Sequence, residues 1–190
     1  MRLTGGEARG RIIRGPGSGG WLRPTSDRVR EAIFDILGPR VPGSTFLDVC
    51  AGTGAVGIEA LSRGAARVVF LERDRRALRL ISGNLQVENW SGAHEVLAGP
   101  LDRSLDRLLG RSERFDCIFL DPPYETPAGE LPLGSIASLL PRDGRLIVEH
   151  RSGHPGMGEA PGFALIKSYR HGDTTLSLFA GRPAHGDGPE

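Results

Sequence analysis

Lysine is almost missing from this chain of 190 residues. Lys167 is the only one, and every other basic side chain apart from histidine is arginine. Codon bias in a GC-rich genome accounts for such a swap, and the plentiful glycine and proline (28 and 14 residues) agree with it. Arginine nonetheless offers a planar fork that fits phosphate. Cysteine is nearly absent as well. Cys50 and Cys117 stand alone in apolar runs that read as buried strands, without Cys-x-x-Cys or Cys/His spacing, so neither a zinc site nor a disulfide framework is implied. His94, His150, His154, His171 and His185 are scattered without ligand spacing, and no metal is expected. Long apolar runs are lacking: none approaches the ~20 residues of a membrane-spanning helix, and no charged-then-apolar leader opens the chain. The expectation is a cytoplasmic protein with no membrane partner. Net charge is only +1, so the chain as a whole says little about what it binds.

What is present is alternation. "TFLDVC" (45–50), "ARVVFLE" (66–72), "HEVLAG" (94–99), "RFDCIFLD" (114–121) and "GRLIVEH" (144–150) are short runs rich in Val, Ile, Leu and Phe, the pattern of buried strands. Between them, "VGIEALSRG" (56–64), "RRALRLISGNLQVEN" (75–89), "DRSLDRLLG" (102–110) and "LGSIASLLP" (133–141) read as helices. This order predicts an α/β fold, a mostly parallel sheet with helices on both faces. "FALIKSYR" (163–170) and "TTLSLFA" (174–180) flank "HGD" and predict a closing antiparallel hairpin, for seven strands in all. Residues 182–190 lack periodicity and read as a frayed tail.

Residues 1–43 form an extension ahead of this main domain, which spans 44–181. Its first forty residues carry Arg2, Arg9, Arg11, Arg14, Arg23, Arg28, Arg30 and Arg40 against Glu7, Asp27, Glu31 and Asp35. "RLTGGEARGRIIRGPGSGG" suggests a short β-hairpin with a flexible glycine tip. "RPTSDRVREAIFDIL" predicts a helix capped by Ser26 or Thr25, with Val29, Ile33, Phe34, Ile36 and Leu37 as its buried stripe. Arginines around glycine-rich backbone can follow phosphates closely, so Arg9, Arg11, Arg14, Arg23 and Arg28 are expected to contact nucleic acid; a solvated basic face is the plain alternative. Trp21 either stacks on RNA or covers the hairpin.

"DVCAGTGAVG" (48–57) sits at a strand-to-helix turn. Gly52, Gly54 and Gly57 make a literal G-x-G-x-x-G, and Glu72 ends the next strand. That is also the dinucleotide fingerprint, so the motif alone gives an adenosine-containing cofactor without saying which. Three features separate the readings. Asp48 places a negative charge where a pyrophosphate would be repelled and an ammonium attracted. The chain after His150 is too short for a dehydrogenase's substrate domain. And the fourth strand runs into "DPPY", Asp121 to Tyr124. Asp-Pro also opens ordinary loops, and Tyr124 can simply cover a sheet edge. With the glycine loop, however, the pair favours a methyl donor.

Asp-Pro-Pro-Tyr after the fourth strand, with Asp-x-x-x-Gly-x-Gly after the first, resembles the S-adenosylmethionine-dependent methyltransferases that modify exocyclic amines of bases. More narrowly, "LRPTSDRVREAIFDIL", "LDVCAGTGAVGIEALSRGA", "FLDPPY" and "YRHGDTTLSLF" resemble, in order and spacing, the RsmD family of bacterial 16S ribosomal RNA guanine-N2 methyltransferases. The likeness runs from Arg11 to Phe179. It implies a Rossmann-like class I methyltransferase fold and S-adenosylmethionine as cofactor, leaving as S-adenosylhomocysteine. It also implies 16S rRNA as substrate, naked or within an assembling 30S particle; a monomer is the expectation. Asp48, Ala51, Gly52, Thr53 and Gly54 match the family's methionine-binding loop, Glu72 its ribose acid, and Arg73 flanks the adenine. Thr25 and Arg28 match the segment near cofactor and RNA. One departure is Pro100, where relatives often place a polar residue that reads adenine; that contact passes to the backbone of Leu101 or to Asp102.

The chemistry gives "DPPY" a reason. A guanine N2 lone pair is delocalised into the ring, so rigid acceptors must hold its hydrogens while the nitrogen pyramidalises. The Asp121 carboxylate is one. A carbonyl at Asp121 or Pro122, fixed by the set φ of Pro122 and Pro123, is another. Tyr124 would stack on a base swung out of its helix. Two other readings stay open here: transfer to another amine, such as adenine N6 of DNA or a different RNA guanine, and a non-catalytic RNA-binding assembly protein.

Overall fold

The computed structural model describes residues 1–86, 90, 92–123, 130–153 and 162–181. The expected strands form at β1 (Thr45–Val49), β2 (Arg67–Glu72), β3 (His94–Ala98), β4 (Cys117–Leu120), β5 (Arg145–Arg151), β6 (Phe163–His171) and β7 (Thr174–Gly181). They make one sheet in the order β3-β2-β1-β4-β5-β7-β6. The first five strands are parallel, β7 is antiparallel to β5, and β6 closes the edge as a hairpin with β7. This is a Rossmann-like sheet, with its strand order reversing between β1 and β4.

Burial on both faces explains why these strands read as continuous apolar runs. One face (Leu47, Val49, Leu71, Ile118, Leu120, Val148) packs on α4 (Leu101–Gly110) and α5 (Leu133–Leu139). The other (Phe46, Val68, Phe70, Phe119, Ile147) packs on α1 (Asp27–Leu37), α2 (Ala55–Ser62) and α3 (Arg75–Leu85). All eight residues of α2 are buried, because the helix lies between the sheet and the N-terminal extension. Gly57 lets it lie flush: a Cβ there would run into the Phe70 ring.

The extension shares this core. Ser26 caps α1 by accepting the Val29 amide at 3.2 Å, and Val29, Ile33, Phe34 and Leu37 are buried as expected, while Ile36 is half-buried. Arg30 departs from the expected basic face, for it is fully buried. Its Nε donates to Glu59 Oε2 of α2 at 2.5 Å, and its Nη2 reaches the Arg2 carbonyl and, at 3.0 Å, Asp27. Glu59, itself fully buried, also receives Arg63 at 2.8 Å and the Thr4 amide at 3.2 Å. The hairpin has one isolated β-bridge, Arg2 to Ile12, flanked by the Leu3 amide donating to the Arg11 carbonyl (2.9 Å) and the Ile13 amide to the Met1 carbonyl (3.1 Å), and its glycine tip is docked rather than flexible. Glu7 and Ala8 donate their amides to the Ser62 carbonyl (2.8 Å) and hydroxyl (3.0 Å) at the end of α2. Gly6, at φ +76°, comes so close that a Cβ would collide with the Ser62 carbonyl.

The tail, 182–190, lies outside the described residues. On β6 the register slips between Leu165 and Lys167, where Leu165 and Ile166 are exposed. Among the described residues no helix is long and apolar enough to cross a membrane.

Glu59→Ala would leave the Arg30 guanidinium buried with much of its partner charge gone. It should lower the unfolding free energy by roughly 3–5 kcal/mol in urea denaturation. A loss of about 1 kcal/mol or less, the range of a surface pair, would show that this network does not anchor the extension.

Candidate active site

Side-chain parity along parallel strands builds the site. The register sets Asp48 beside Phe70 of β2 and Phe119 of β4, and Phe119 beside Ile147 of β5. Two residues further along each neighbouring chain, on the same face, come Glu72, Asp121 and Glu149. Four carboxylates therefore converge at the C-terminal edge of the sheet, at the point where strand order reverses. A cavity of about 660 Å³ opens there, within the range of small-molecule sites, and all four carboxylates line it.

Most residues picked out in the sequence meet at this cavity. Ala51, Gly52, Thr53, Glu72, Arg73, Leu101, Asp121, Pro122 and Pro123 line it, as do Arg23 and Thr25 from the extension. Asp102 and Pro100 do too, Pro100 as the residue that opens α4. Gly54 does not; it opens α2 at φ +75°, so it shapes the turn rather than the wall. Tyr124 lies outside the described residues. Arg14 is exposed beside the cavity wall. Its amide donates to Asn84 Oδ1 at 2.7 Å, and the Asn84 amide group reaches both the Arg14 carbonyl (3.0 Å) and the Thr53 carbonyl (3.2 Å). Arg9 and Arg11 are exposed near the other end of α2, a helix roughly 12 Å long at 1.5 Å per residue. Arg28 is exposed in the first turn of α1.

The electrostatics set the carboxylates apart. Asp48 is buried and accepts the Gly57 amide at 2.8 Å. Burial pushes its pKa up to about 8; the Gly57 hydrogen bond pulls against that, and the Glu72 charge adds to it. Asp121 is raised well above the carboxylate range by burial, then by Glu149 and Asp48, with Arg23 opposing. Glu72 ties the loops together. Its Oε2 accepts the Gly52 amide at 2.7 Å, and its Oε1 accepts the amides of Arg73 (2.7 Å) and Asp74 (2.8 Å).

Cys50 lies in the turn after β1 at φ +61° and lines the cavity, instead of sitting buried in the strand; Cys117 is in β4 as expected. Burial and the charges of Glu72, Asp121 and Asp48 push the Cys50 thiol up to about 12, so it is no thiolate near neutral pH. Trp21 also lines the cavity. The Arg76 guanidinium sits 4.2 Å from its ring centroid and its Nε1 donates to the Pro16 carbonyl at 3.0 Å, which fixes the ring as part of the wall.

Glu149 was not singled out in the sequence. The signal was there: it stands two residues after Ile147 at the end of "LIVEH", the same parity that links Phe119 to Asp121. Among the described residues no group of His, Cys, Asp and Glu is arranged to hold a metal ion. The cavity is thus lined by acids with Arg23 and Arg73 at its margin, and Asp48 and Asp121 hold their protons near neutral pH until a cation favours their charged forms. A dinucleotide's pyrophosphate would meet like charge here, whereas a ligand bearing an ammonium or sulfonium would be drawn in.

A family model described as conserved hypothetical protein 95 matches residues 1–180. YlbH of Bacillus subtilis (strain 168), provisionally named an rRNA methyltransferase, is 36% identical over 152 residues, 79% of this chain and 82% of YlbH. Ribosomal RNA small subunit methyltransferase D of Escherichia coli (strain K12) is 38% identical over 124 residues, 65% of this chain and 60% of that protein, less than two thirds of its length. Among solved structures, yhhF of Escherichia coli, provisionally described as a methyltransferase, superimposes with a TM-score of 0.76 at 30% identity over 95% of this chain and 97% of that one.

Asp48 gives a pH signature independent of any ligand. Its pKa is raised on folding from about 3.8 to about 8. Its contribution is therefore complete below the unfolded value and is lost as pH rises through the folded one. Asp48→Asn keeps an acceptor for Gly57 and removes the titration. Urea midpoints measured from pH 5 to pH 9 should fall less steeply for the variant than for the wild type, and parallel curves would refute the shift.

Proposed function

The chain belongs to the family described as conserved hypothetical protein 95, the RsmD family, and on that footing we propose that it is an rRNA methyltransferase moving a methyl group from S-adenosylmethionine to the exocyclic N2 amine of a guanine in 16S ribosomal RNA. One observation carries this reading: Asp121, Pro122 and Pro123 share a single cavity with the Asp48 loop and Glu72. The residues present fit the donor. Bound there, S-adenosylmethionine would supply an electrophilic methyl group on a sulfonium.

The chain's own groups do the positioning. Asp48 takes the donor's ammonium; a cation beside it favours its ionised form, and the Gly57 amide keeps the carboxylate aimed. Glu72 offers about four lone-pair sites, of which three backbone amides use some and ribose hydroxyls take the remainder. Asp121 accepts a hydrogen of the target amine. The donor's positive charge would favour its ionised form, and because burial and its acidic neighbours raise its basicity, that carboxylate can also receive the proton the nitrogen must lose once methylated. Pro122 and Pro123 fix the backbone that carries this acceptor. Tyr124, as the next residue, is assigned the stacking role on the extruded base. Holding two reactants in line can account for roughly 7–11 kcal/mol of barrier, so positioning is the main contribution asked of the protein.

RNA is assigned to the face that carries the extension. Arg23 and Thr25 stand at the cavity, Arg14 beside its wall, Arg9 and Arg11 further down the flank and Arg28 on α1. Because the extension is bolted to α2, this is a fixed basic track rather than a swinging arm. The Ala triple variant of Arg9, Arg11 and Arg14 should bind 16S rRNA more weakly. Its log-affinity should depend less on log salt, by roughly 0.7–0.9 for each phosphate that is no longer neutralised. Superimposable plots would leave these arginines as a solvated face.

Two measurements test the chemistry. In calorimetry S-adenosylhomocysteine should bind and NAD should not; the reverse outcome ends the methyl-transfer reading. With labelled donor, methyl should appear on N2 of a 16S rRNA guanine. Asp121→Ala should slow that transfer by an amount on the order of 1.5–3 kcal/mol while still binding S-adenosylhomocysteine. Unchanged turnover would remove Asp121 from the mechanism.

A further inference from the structure

The acid in the second half of β5 has no part in the chemistry described so far. Glu149 is 5% exposed, yet it lines the cavity. Register places it next to Asp121: Leu120 pairs with Val148, so Asp121, just past the end of β4, and Glu149, still within β5, stand side by side on the face of Asp48. The Glu149 charge acts directly on Asp121. A buried acid beside another buried acid raises the cost of both charges, an arrangement that a cofactor held by Asp48 and Glu72 on β1 and β2 does not require. It lies on the far side of Asp121 from Glu72, since the strand order is β2-β1-β4-β5. That is the side left for the base.

Resting on the reading above, we propose that Glu149 selects the base: its carboxylate accepts the N1–H of guanine while Asp121 holds the neighbouring N2 amine. Guanine presents two adjacent donors on that edge, N1–H and the N2 amine. Two adjacent carboxylate acceptors complement them. Adenine presents its N6 amine beside a bare N1 lone pair, which would face Glu149 with no hydrogen between. The pair therefore admits a guanine and rejects an adenine, and does so by desolvated polar contacts, the kind that discriminate most strongly. Glu149 touches the substrate and moves no bond. The amine's methyl and proton stay with Asp121 and the donor.

The test is a base analogue that keeps the amine and loses the N1 hydrogen. The methylated guanine is first mapped by mass spectrometry in 16S rRNA. Fragments spanning it are then made with guanine or with 2-aminopurine, whose N1 is an acceptor. The wild type should favour guanine over 2-aminopurine by roughly 10- to 100-fold in kcat/KM. Glu149→Gln, which can donate to a bare N1, should lose most of that preference, chiefly by falling on guanine. S-adenosylhomocysteine affinity within about twofold of wild type would show an intact fold. Equal use of the two bases by the wild type overturns the proposal, and so does an unchanged ratio in Glu149→Gln. If the wild type methylates no 16S rRNA guanine at all, the parent reading falls, and this one with it. Guanine N2 methylated with no dependence on Glu149 overturns this proposal alone.

Discussion

Four carboxylates on one face of one sheet edge are the constraint around which this molecule is arranged. Asp48, Glu72, Asp121 and Glu149 are brought together by strand register alone, since side chains two residues apart share a face and parallel neighbours advance in step. Repulsion among them is relieved in graded ways. Glu72 is met by three backbone amides, Asp48 by one, and Asp121 by the charge of Arg23. Burial first, and then the repulsion that remains, hold the pKa values of Asp48 and Asp121 up. A site of this kind gains most from a ligand that brings its own positive charge. An ammonium and a sulfonium do so, and a pyrophosphate does the opposite.

The same sheet face also carries the N-terminal extension, which joins structure to function. Arg30 reaches Glu59, and residues 6–8 close on the far end of α2, so a chain segment that composition alone would leave loose becomes a fixed wall. Residues 21–25 can then line the cavity with defined side chains. Trp21 is held between Arg76 and the Pro16 carbonyl. The buried ion pair is thus remote from the chemistry and still governs the shape of its rim.

Much of this was legible beforehand, and for physical reasons. Apolar runs predicted the strands, most plainly the central β1, β2, β4 and β5, because strands buried on both faces must be apolar throughout. The glycine turn and "DPPY" predicted Asp48, Gly52, Glu72 and Asp121, because glycine and proline restrict backbone in ways that few other residues do. What escaped was non-local. Arg30 looked like one more surface arginine, since nothing within "DRVREAIF" tells of a glutamate twenty-nine residues on. Gly54 matched the binding loop, yet its position opens a helix. Glu149 hid within an ordinary strand, visible only once parity was carried across two neighbouring strands. Cys50 read as strand and proved to be turn, because the sharp reversal to α2 begins one residue earlier than its apolar neighbours suggest.

The slip on β6 reaches past the site. A sheet's last strand exposes a row of unsatisfied backbone groups on which another chain can crystallise. Here that strand also shows Leu165 and Ile166 to solvent, which makes it an inviting template. The irregularity between Leu165 and Lys167 breaks its regular spacing just there. The residue that follows is the chain's solitary lysine, its ammonium 5.0 Å from the centre of the Tyr169 ring. A long, strongly hydrated cation is the side chain least willing to be walled in by a docking strand. An irregular last strand that also carries a cation offers a docking chain little regular ladder to extend.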